Sequence, residues 1–244
     1  MTQRLIKKIY EPTIMKKKTI GILGGMGPAA TIALYQHIVR LTPAKSDQEH
    51  IKTIIYCDPE IPDRTNALIG GGKDPTNRMR RDIRYLRKAG ADLLIVPCNT
   101  AHKFLPKIAQ GEGIDFIDMI FELKIFLQKQ YPTFKTVGLL ATTGTNNVRL
   151  YEEYLSPEYT VIKPSVENQK IVMSCIYSIK SKNISANLVK DVHKIAKLLM
   201  RQGAQLVVLG CTELSLIQNF KKNRLFIDPL EILAQRAIQK ALHN

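Results

Sequence analysis

The chain of 244 residues carries three short segments twice, in the same order. Lys18–Leu23 is similar to Lys135–Leu140, and residues 90–98 are similar to residues 203–211. A third pair follows, Phe116-Ile117-Asp118 and Phe226-Ile227-Asp228, so that every copy lies roughly 110–117 positions after its original. Three matches in one order predict a duplicated folding unit, and this constrains the fold more than any other feature of the sequence.

Short apolar, β-branched runs predict four buried strands in each half. The runs of the first half are 20–23, 51–57, 93–96 and 115–117, and those of the second half are 137–140, 159–162, 206–209 and 225–227. Helical patterns lie between them, and two of these end at Gly90-Ala91 and Gly203-Ala204, where glycine is typical of a C-terminal cap. Strands that alternate with helices predict parallel sheets.

The sequence therefore predicts an α/β protein of two similar domains, each a mostly parallel four-stranded sheet flanked by helices. We place the first domain at residues 15–130 and the second at 131–229, with the break near Tyr131-Pro132-Thr133. Residues 1–14 are predicted to be a dispensable extension. A cleft between duplicated domains would receive equivalent residues from both halves, and we expect the active site there.

Composition limits the classes of protein to which the chain can belong. Apolar residues make up 45% and charged residues 23%, which is typical of a globular chain. No apolar run is long enough to span a membrane, and the N-terminus has no signal-peptide pattern, so we expect a cytoplasmic protein with four free cysteines. The net charge of +15 is scattered along the chain; it favours a solvated surface that attracts small dianions, with nucleic-acid binding as the alternative.

Two of the cysteines occupy equivalent positions of the repeat. Cys98 and Cys211 each follow an apolar strand, and in open α/β sheets ligands bind beyond the carboxyl ends of the strands. Duplication would therefore bring two thiols to opposite walls of one cleft. If helices begin just after them, the N-terminal amides would favour thiolate. Cys57 and Cys175 have no repeat partner and are predicted to be packing residues.

Two opposed acid/base groups suit inversion at a carbon, because one group removes a proton from one face and the other returns a proton to the opposite face. A thiol has an ordinary pKa of about 8.5, so it can take either role near neutral pH. The developing enolate-like carboxylate needs preorganised donors, for which Asn99, Thr100 and Thr212 are suitable residue types. Met26 and Thr142 lie in turns whose amides we expect to face the cleft.

From Thr19 to Ala237 the chain resembles the aspartate/glutamate racemase superfamily, in particular its aspartate racemase and amino-acid racemase branch. The resemblance is carried by the motifs at 21–31, 61–65, 97–102, 141–145, 210–214 and 228–229. It implies racemisation with no cofactor, neither pyridoxal phosphate nor a metal, and commonly a homodimer. It also implies that the C-terminal helix, at 230–243, packs back on the first domain.

The resemblance also assigns substrate contacts. Arg64 resembles the arginine that holds the substrate side-chain carboxylate, and Lys180 resembles the second basic residue, with Lys163 as its competitor. Asn99, Thr100 and Ala101 resemble residues around the α-carboxylate.

Three further residues are candidates near the reacting atoms. Glu213 or Asp63 could orient a thiol or the substrate ammonium, and His102 could tune Cys98. Glutamate racemases usually have histidine where this chain has Glu213. We therefore expect racemisation of aspartate first, with glutamate or other amino acids as further substrates.

Alternatives stay open at this point. The superfamily includes hydantoin racemases, maleate isomerases and decarboxylases. Gly25, Gly27 and Ala30 fit a dinucleotide-binding turn, with Asp47 as its acidic residue, which would instead suit a non-catalytic nucleotide binder. Gly70-Gly71-Gly72 is either a lid over the cleft or a surface turn.

Overall fold

The structure, a computed structural model, describes residues 17–183, 185–217, 220 and 225–243. The predicted dispensability of residues 1–14 therefore concerns a segment outside these ranges. In the part of the chain that the structure describes, no helix has the length and apolar character that a membrane span requires.

Two four-stranded parallel sheets form the framework. The first contains β1 (Ile20–Gly24), β2 (Thr53–Cys57), β3 (Leu93–Ile95) and β4 (Asp115–Phe116), in the order β2-β1-β3-β4. The second contains β5 (Thr136–Ala141), β6 (Thr160–Ile162), β7 (Leu206–Gly210) and β8 (Phe226–Ile227), in the order β6-β5-β7-β8. Each predicted run contains a strand, and the identical strand order confirms the predicted pair of α/β units.

Ten helices connect and cover the strands within the described ranges: α1 (Pro28–Leu41), α2 (Arg64–Leu68), α3 (Thr76–Lys88), α4 (Leu105–Glu112), α5 (Met119–Gln130), α6 (Thr143–Asn147), α7 (Leu150–Leu155), α8 (Val166–Lys180), α9 (Ala186–Arg201) and α10 (Pro229–Leu242). Short 3₁₀ turns follow the strands at Thr100–Lys103 and Leu214–Leu216.

The repeated glycine and alanine pack against each other in both halves. A Cβ at Gly21 of β1 would lie 2.7 Å from the Cβ of Ala91, and one at Gly138 of β5 would lie 3.2 Å from the Cβ of Ala204. Each alanine follows a helix-ending glycine with a positive φ, +96° at Gly90 and +106° at Gly203. The repeated sequence thus lets each helix pass close to its central strand.

The run 51–57 differs from its prediction as a buried strand. β2 is an edge strand, and along it Ile55 is 41% exposed and Cys57 is also exposed. The packing role predicted for Cys57 is therefore wrong, because within the described ranges its side chain is exposed on an edge strand. Cys175 is fully buried in the core of the second half, where burial raises the pKa of its thiol to about 11.

Two helices cross between the halves. The buried side chains of α5, among them Ile120 and Leu123, pack into the core around β5 and β7. In return α10 places Leu230 and Leu233 against β1 and α1 of the first half. These two crossing helices hold the sheets together. The residues that follow the strands of one sheet therefore lie against those that follow the strands of the other.

Candidate active site

One narrow cavity gathers nine of the ten predicted site residues. It is lined by Met26, Arg64, Cys98, Asn99, Thr100, Thr142, Lys180, Cys211 and Thr212, together with Asp63, Thr65 and Glu213. Ala101 is fully buried in the 3₁₀ turn that follows Cys98 and does not line the cavity. The residues come from both halves, so the site exists only where the two α/β units meet.

The two thiols lie at equivalent positions of the repeat, in turns that differ in their backbone hydrogen bonds. Beyond β3 the Cys98 amide donates to the carbonyl of Val96 at 2.9 Å, and beyond β7 the Leu214 amide donates to the carbonyl of Cys211 at 3.0 Å. The hydroxyl of Thr212 donates to the carbonyl of Pro97 at 3.1 Å, which ties one cysteine turn to the other. Cys98 is 6% exposed and Cys211 is 5% exposed, so both thiols are largely shielded from water.

The surroundings of Cys211 differ from the expected helix N-terminus. A 3₁₀ turn follows it, and its Sγ donates a hydrogen bond to Oε2 of Glu213 at 2.8 Å. Burial raises the pKa of the Cys211 thiol well above its usual value, the negative Glu213 raises it further, and Lys180 offsets part of the effect. The condition for a thiolate, a helix that begins just after Cys211, is not met here, and burial beside a carboxylate favours the protonated thiol.

His102 supports the turn at Cys98 through hydrogen bonds to the backbone. Its Nε2 accepts from the Met119 amide at 3.2 Å, so Nδ1 carries the proton and donates to the carbonyl of Cys98 at 2.8 Å. Burial lowers the pKa of His102, which keeps the imidazole neutral. The side chain contacts the backbone of Cys98 and acts as a support for that turn.

Arg64 is anchored with one edge free. It begins α2, and its two terminal nitrogens donate to the carbonyls of Ile61, Pro62 and Met26 at 3.0–3.1 Å. Its Nε is buried and has no hydrogen-bond partner. A buried guanidinium with an unused donor in a cavity is suited to a carboxylate ligand, which it can bind through two nitrogens.

Lys180 and its competitor Lys163 lie in different places. Lys180 ends α8 and lines the cavity. Desolvation by the surrounding atoms works to lower the pKa of Lys180, but electrostatic interaction with Glu213, and then with Cys211 and Cys98, outweighs this and raises the pKa above its usual value. Lys163 is instead ion-paired to Glu152 at 2.6 Å and lines a separate cavity.

Hydroxyls from both halves form a closed triangle beside the thiols. Oγ1 of Thr100 lies 3.0 Å from that of Thr142 and 2.9 Å from that of Thr145, and the last two are 3.0 Å apart. Thr142 is also the N-cap of α6, where it accepts from the Thr145 amide. Thr145 was not predicted, although a threonine at the N-cap followed by a threonine three residues later is a signal that could have pointed to it.

The space between the thiols is small and opens to a larger cavity. The volume of the inner cavity is about 10 Å³, comparable to what one water molecule needs. An adjoining cavity of about 340 Å³ shares Met26, Asp63, Arg64, Lys180 and Glu213 with it. A ligand would enter through the larger cavity, because the inner cavity by itself is too small to hold an amino acid.

The remaining sequence signals lie elsewhere. Asp47 is exposed in a 3₁₀ turn and lines neither cavity, and Gly70, Gly71 and Gly72 are exposed and line neither. In the described ranges, no three His, Cys, Asp or Glu side chains are grouped as a metal ion would need. Asp63 caps α2 through its carboxylate, which accepts from the Asn66 amide at 2.8 Å.

Comparisons with known proteins agree with one another. A family model described as Asp/Glu/hydantoin racemase matches residues 23–237. The aspartate racemase of Picrophilus torridus is 32% identical, with a TM-score of 0.79 over 92% of this chain and 94% of that one. The broad specificity amino-acid racemase RacX of Bacillus subtilis is 23% identical over 91% of this chain and 98% of that protein. Glutamate racemase RacE1 of Bacillus anthracis shares the fold, with a TM-score of 0.66 at 18% identity over 94% of this chain and 85% of that one.

Proposed function

The chain belongs to the Asp/Glu/hydantoin racemase family, and from that premise we propose that it interconverts L- and D-aspartate without a cofactor. One observation carries the proposal: the thiols of Cys98 and Cys211, one from each half, line a single cavity with Arg64 and Lys180. Two acid/base groups suit inversion at Cα, and two cations suit a substrate with two carboxylates.

The proton balance needs one thiolate and one thiol. In one direction the Cys98 thiolate takes the α-proton while the Cys211 thiol protonates the opposite face; the carbanionic intermediate is neutralised and the charges on the two sulfurs exchange. In the reverse direction Cys211 must act as the base. Its hydrogen bond to Glu213 supplies an acceptor for its own proton, and Lys180 stabilises the thiolate that results.

The substrate groups have matching partners in the cavity. We assign the side-chain carboxylate to the free edge of Arg64, and the α-carboxylate to Asn99, Thr100 and the amides near Thr212. Lys180 supplies the second positive charge. Oε1 of Glu213 is buried and has no hydrogen-bond partner, so it is available to the substrate ammonium.

A wider substrate range is the second candidate. The similarity to a broad specificity racemase supports it, and so does the adjoining cavity, which is large enough for a longer side chain. The two candidates differ in whether Arg64 is essential, because an uncharged side chain makes no use of a guanidinium.

We further propose a cytoplasmic homodimer. The catalytic thiols need a reducing compartment to stay reduced. Apolar side chains exposed on α1 (Ile32, Tyr35 and Val39) and on β2 (Ile55) are suited to contact with a second copy. Sedimentation equilibrium would show a dimer, whereas a monomer at micromolar concentration would contradict this assembly.

The deciding experiment is incubation with L-aspartate, L-glutamate or a neutral amino acid in D₂O, without pyridoxal phosphate or metal, followed by chiral chromatography. We expect D-aspartate that carries deuterium at Cα, and no turnover in Cys98→Ala or Cys211→Ala. Cys175→Ala is the matched control, because this thiol is buried outside the cavity, and it should retain activity. A wild type that neither inverts nor exchanges the α-proton of aspartate would refute the proposed substrate.

A further inference from the structure

The amide of Asn99 has two ends with unequal surroundings. Asn99 follows Cys98, is 2% exposed and lines the inner cavity. Its Oδ1 accepts a hydrogen bond, but its Nδ2 is buried without a partner. Leaving a buried amide nitrogen unpaired is unfavourable, so on a residue that lines the cavity this nitrogen is suited to donate to a ligand acceptor.

The partner of Oδ1 comes from the other half of the molecule. Tyr151 belongs to α7, is fully buried, and its Oη donates to Oδ1 of Asn99 at 2.5 Å. Burial raises the pKa of Tyr151 well above its usual value, and electrostatic interaction with Cys211, Asp228 and Asp118 raises it further. The phenol therefore keeps its proton over the whole working pH range and stays a hydrogen-bond donor.

We propose that Tyr151 is a positioning residue for the racemase reaction: it orients the amide of Asn99 so that the Nδ2 hydrogens, and not Oδ1, face the substrate carboxylate. This inference rests on the proposed function. With the amide turned over, a carbonyl oxygen would face the carboxylate and repel it. The hydroxyl of Tyr151 thus sets the sign of the partial charge that Asn99 presents to the cavity.

The same bond makes a carboxylate site depend on both halves. Asn99 lies in the first half and Tyr151 in the second, 52 residues along the chain. The α-carboxylate gains negative charge as the α-proton leaves, so donors that are already oriented stabilise the transition state more than the substrate. We therefore expect the loss of Tyr151 Oη to lower kcat as well as to raise KM.

The test is a double-mutant cycle of Tyr151→Phe and Asn99→Ala, with aspartate racemisation as the readout. Tyr151→Phe should lower kcat/KM about ten- to hundredfold, as expected for a hydrogen bond to a charged group. In the Asn99→Ala background the same change should have no further effect, because the group on which Tyr151 acts is gone. Equal effects in both backgrounds would overturn the proposal.

Tyr154→Phe is the matched control. Tyr154 lies one turn further on α7, and its Oη donates to Asp118 at 2.6 Å, but neither residue lines the cavity. It should lose stability to a similar degree and keep kcat/KM within about twofold. If it lowers kcat/KM as strongly as Tyr151→Phe, the effect belongs to α7 as a whole and the proposal fails.

Two further measurements cover other outcomes. Asn99→Asp keeps the acceptor for Tyr151 but has no donors, so it should lose activity as Asn99→Ala does; wild-type kinetics would refute the role of the Nδ2 hydrogens.

Side-chain amide NMR with ¹⁵N-asparagine should show the Asn99 signal shifted or doubled in Tyr151→Phe. An unchanged signal would refute the orientation even in a protein that proves inactive on aspartate, which separates this failure from that of the proposed function.

Discussion

Single residues make the two equivalent thiols chemically different. Cys98 is supported through its backbone by neutral His102, whereas Cys211 donates its own proton to Glu213. Burial and the negative Glu213 both raise the pKa of the Cys211 thiol, which favours its protonated form and so an acid on that side of the cavity. Glu213 is the group that can accept the proton of Cys211 and so allow this thiol to act as a base.

Replacing Glu213 with glutamine tests this asymmetry. Because the carboxylate raises the pKa of Cys211, Glu213→Gln should move the pH profile of Cys211 alkylation by iodoacetamide to lower pH. Racemisation near neutral pH should fall about tenfold or more, since Cys211 loses its proton acceptor. Site-resolved mass spectrometry measures both thiols in one sample, and Cys98 serves as the internal reference. A Cys211 profile that stays in place, or moves to higher pH, would contradict the assignment.

His102 should make stability depend on pH. Burial lowers its pKa in the folded protein, so on acidification the unfolded chain binds the proton first; the stabilisation is complete above about pH 6.5 and is lost as the pH falls below that value. His102→Gln should lower the free energy of unfolding by about 1–3 kcal/mol at pH 8, because two buried hydrogen bonds are disturbed. Below pH 6.5 the difference in the free energy of unfolding between the wild type and His102→Gln, measured by urea titration, should become smaller. A difference that grows below pH 6.5 would contradict the inferred lowering of the pKa of His102.

Secondary-structure elements bring the halves together at the site through short helices. α2 carries Arg64 and packs against α6, which Thr142 caps. The approach is close at Gly144, where a Cβ would lie 2.8 Å from Cα of Thr65. A glycine here is needed for contact between the halves, because backbone atoms of α2 occupy the space that a side chain would take.

The added methyl group in Gly144→Ala should therefore push α2 and α6 apart. Overpacking of this kind lowers the free energy of unfolding by about 1–3 kcal/mol, and the widened cavity should raise KM for aspartate. Gly111→Ala in α4 is the matched control, since a Cβ there meets nothing within 4 Å, and it should be neutral or stabilising by up to about 1 kcal/mol. Urea unfolding and initial rates measure both effects. Equal behaviour of the two variants would show that the α2–α6 contact tolerates expansion.

At the scale of the whole molecule, the net charge contributes to the electrostatic field at the site. The net charge of +15 creates a positive field that favours an anionic substrate, and the site itself holds Arg64 and Lys180. Raising the salt concentration from about 0.01 M to 0.15 M shortens the screening length from about 30 to 8 Å.

KM for aspartate should rise about twofold or more over this range while kcat stays constant, because screening weakens attraction and leaves the reacting groups unchanged. Initial rates at several sodium chloride concentrations measure this, with sucrose at equal osmolality as the control. A constant KM would show that the surface charge has no part in substrate capture.

Much of this protein follows from its sequence alone. The repeat, the apolar runs and the helix-ending glycines are local signals, and they sufficed for the eight strands, the parallel sheets and the positions of both thiols. A strand and the turn after it depend on neighbours within a few residues, and the duplication then determined that Cys98 and Cys211 would be equivalent.

The tertiary structure decided what each of those residues touches. The hydrogen bond between Tyr151 and Asn99, the hydroxyl triangle and the exposed edge of β2 join or separate segments far apart in the chain, and no local pattern encodes them. The environment of Cys211 lies beyond local signals for the same reason: the burial that raises the pKa of its thiol and the Glu213 carboxylate beside it depend on how the two halves pack. Charge and hydrogen bonding in a closed site depend on which surfaces meet, and only the packed molecule determines that.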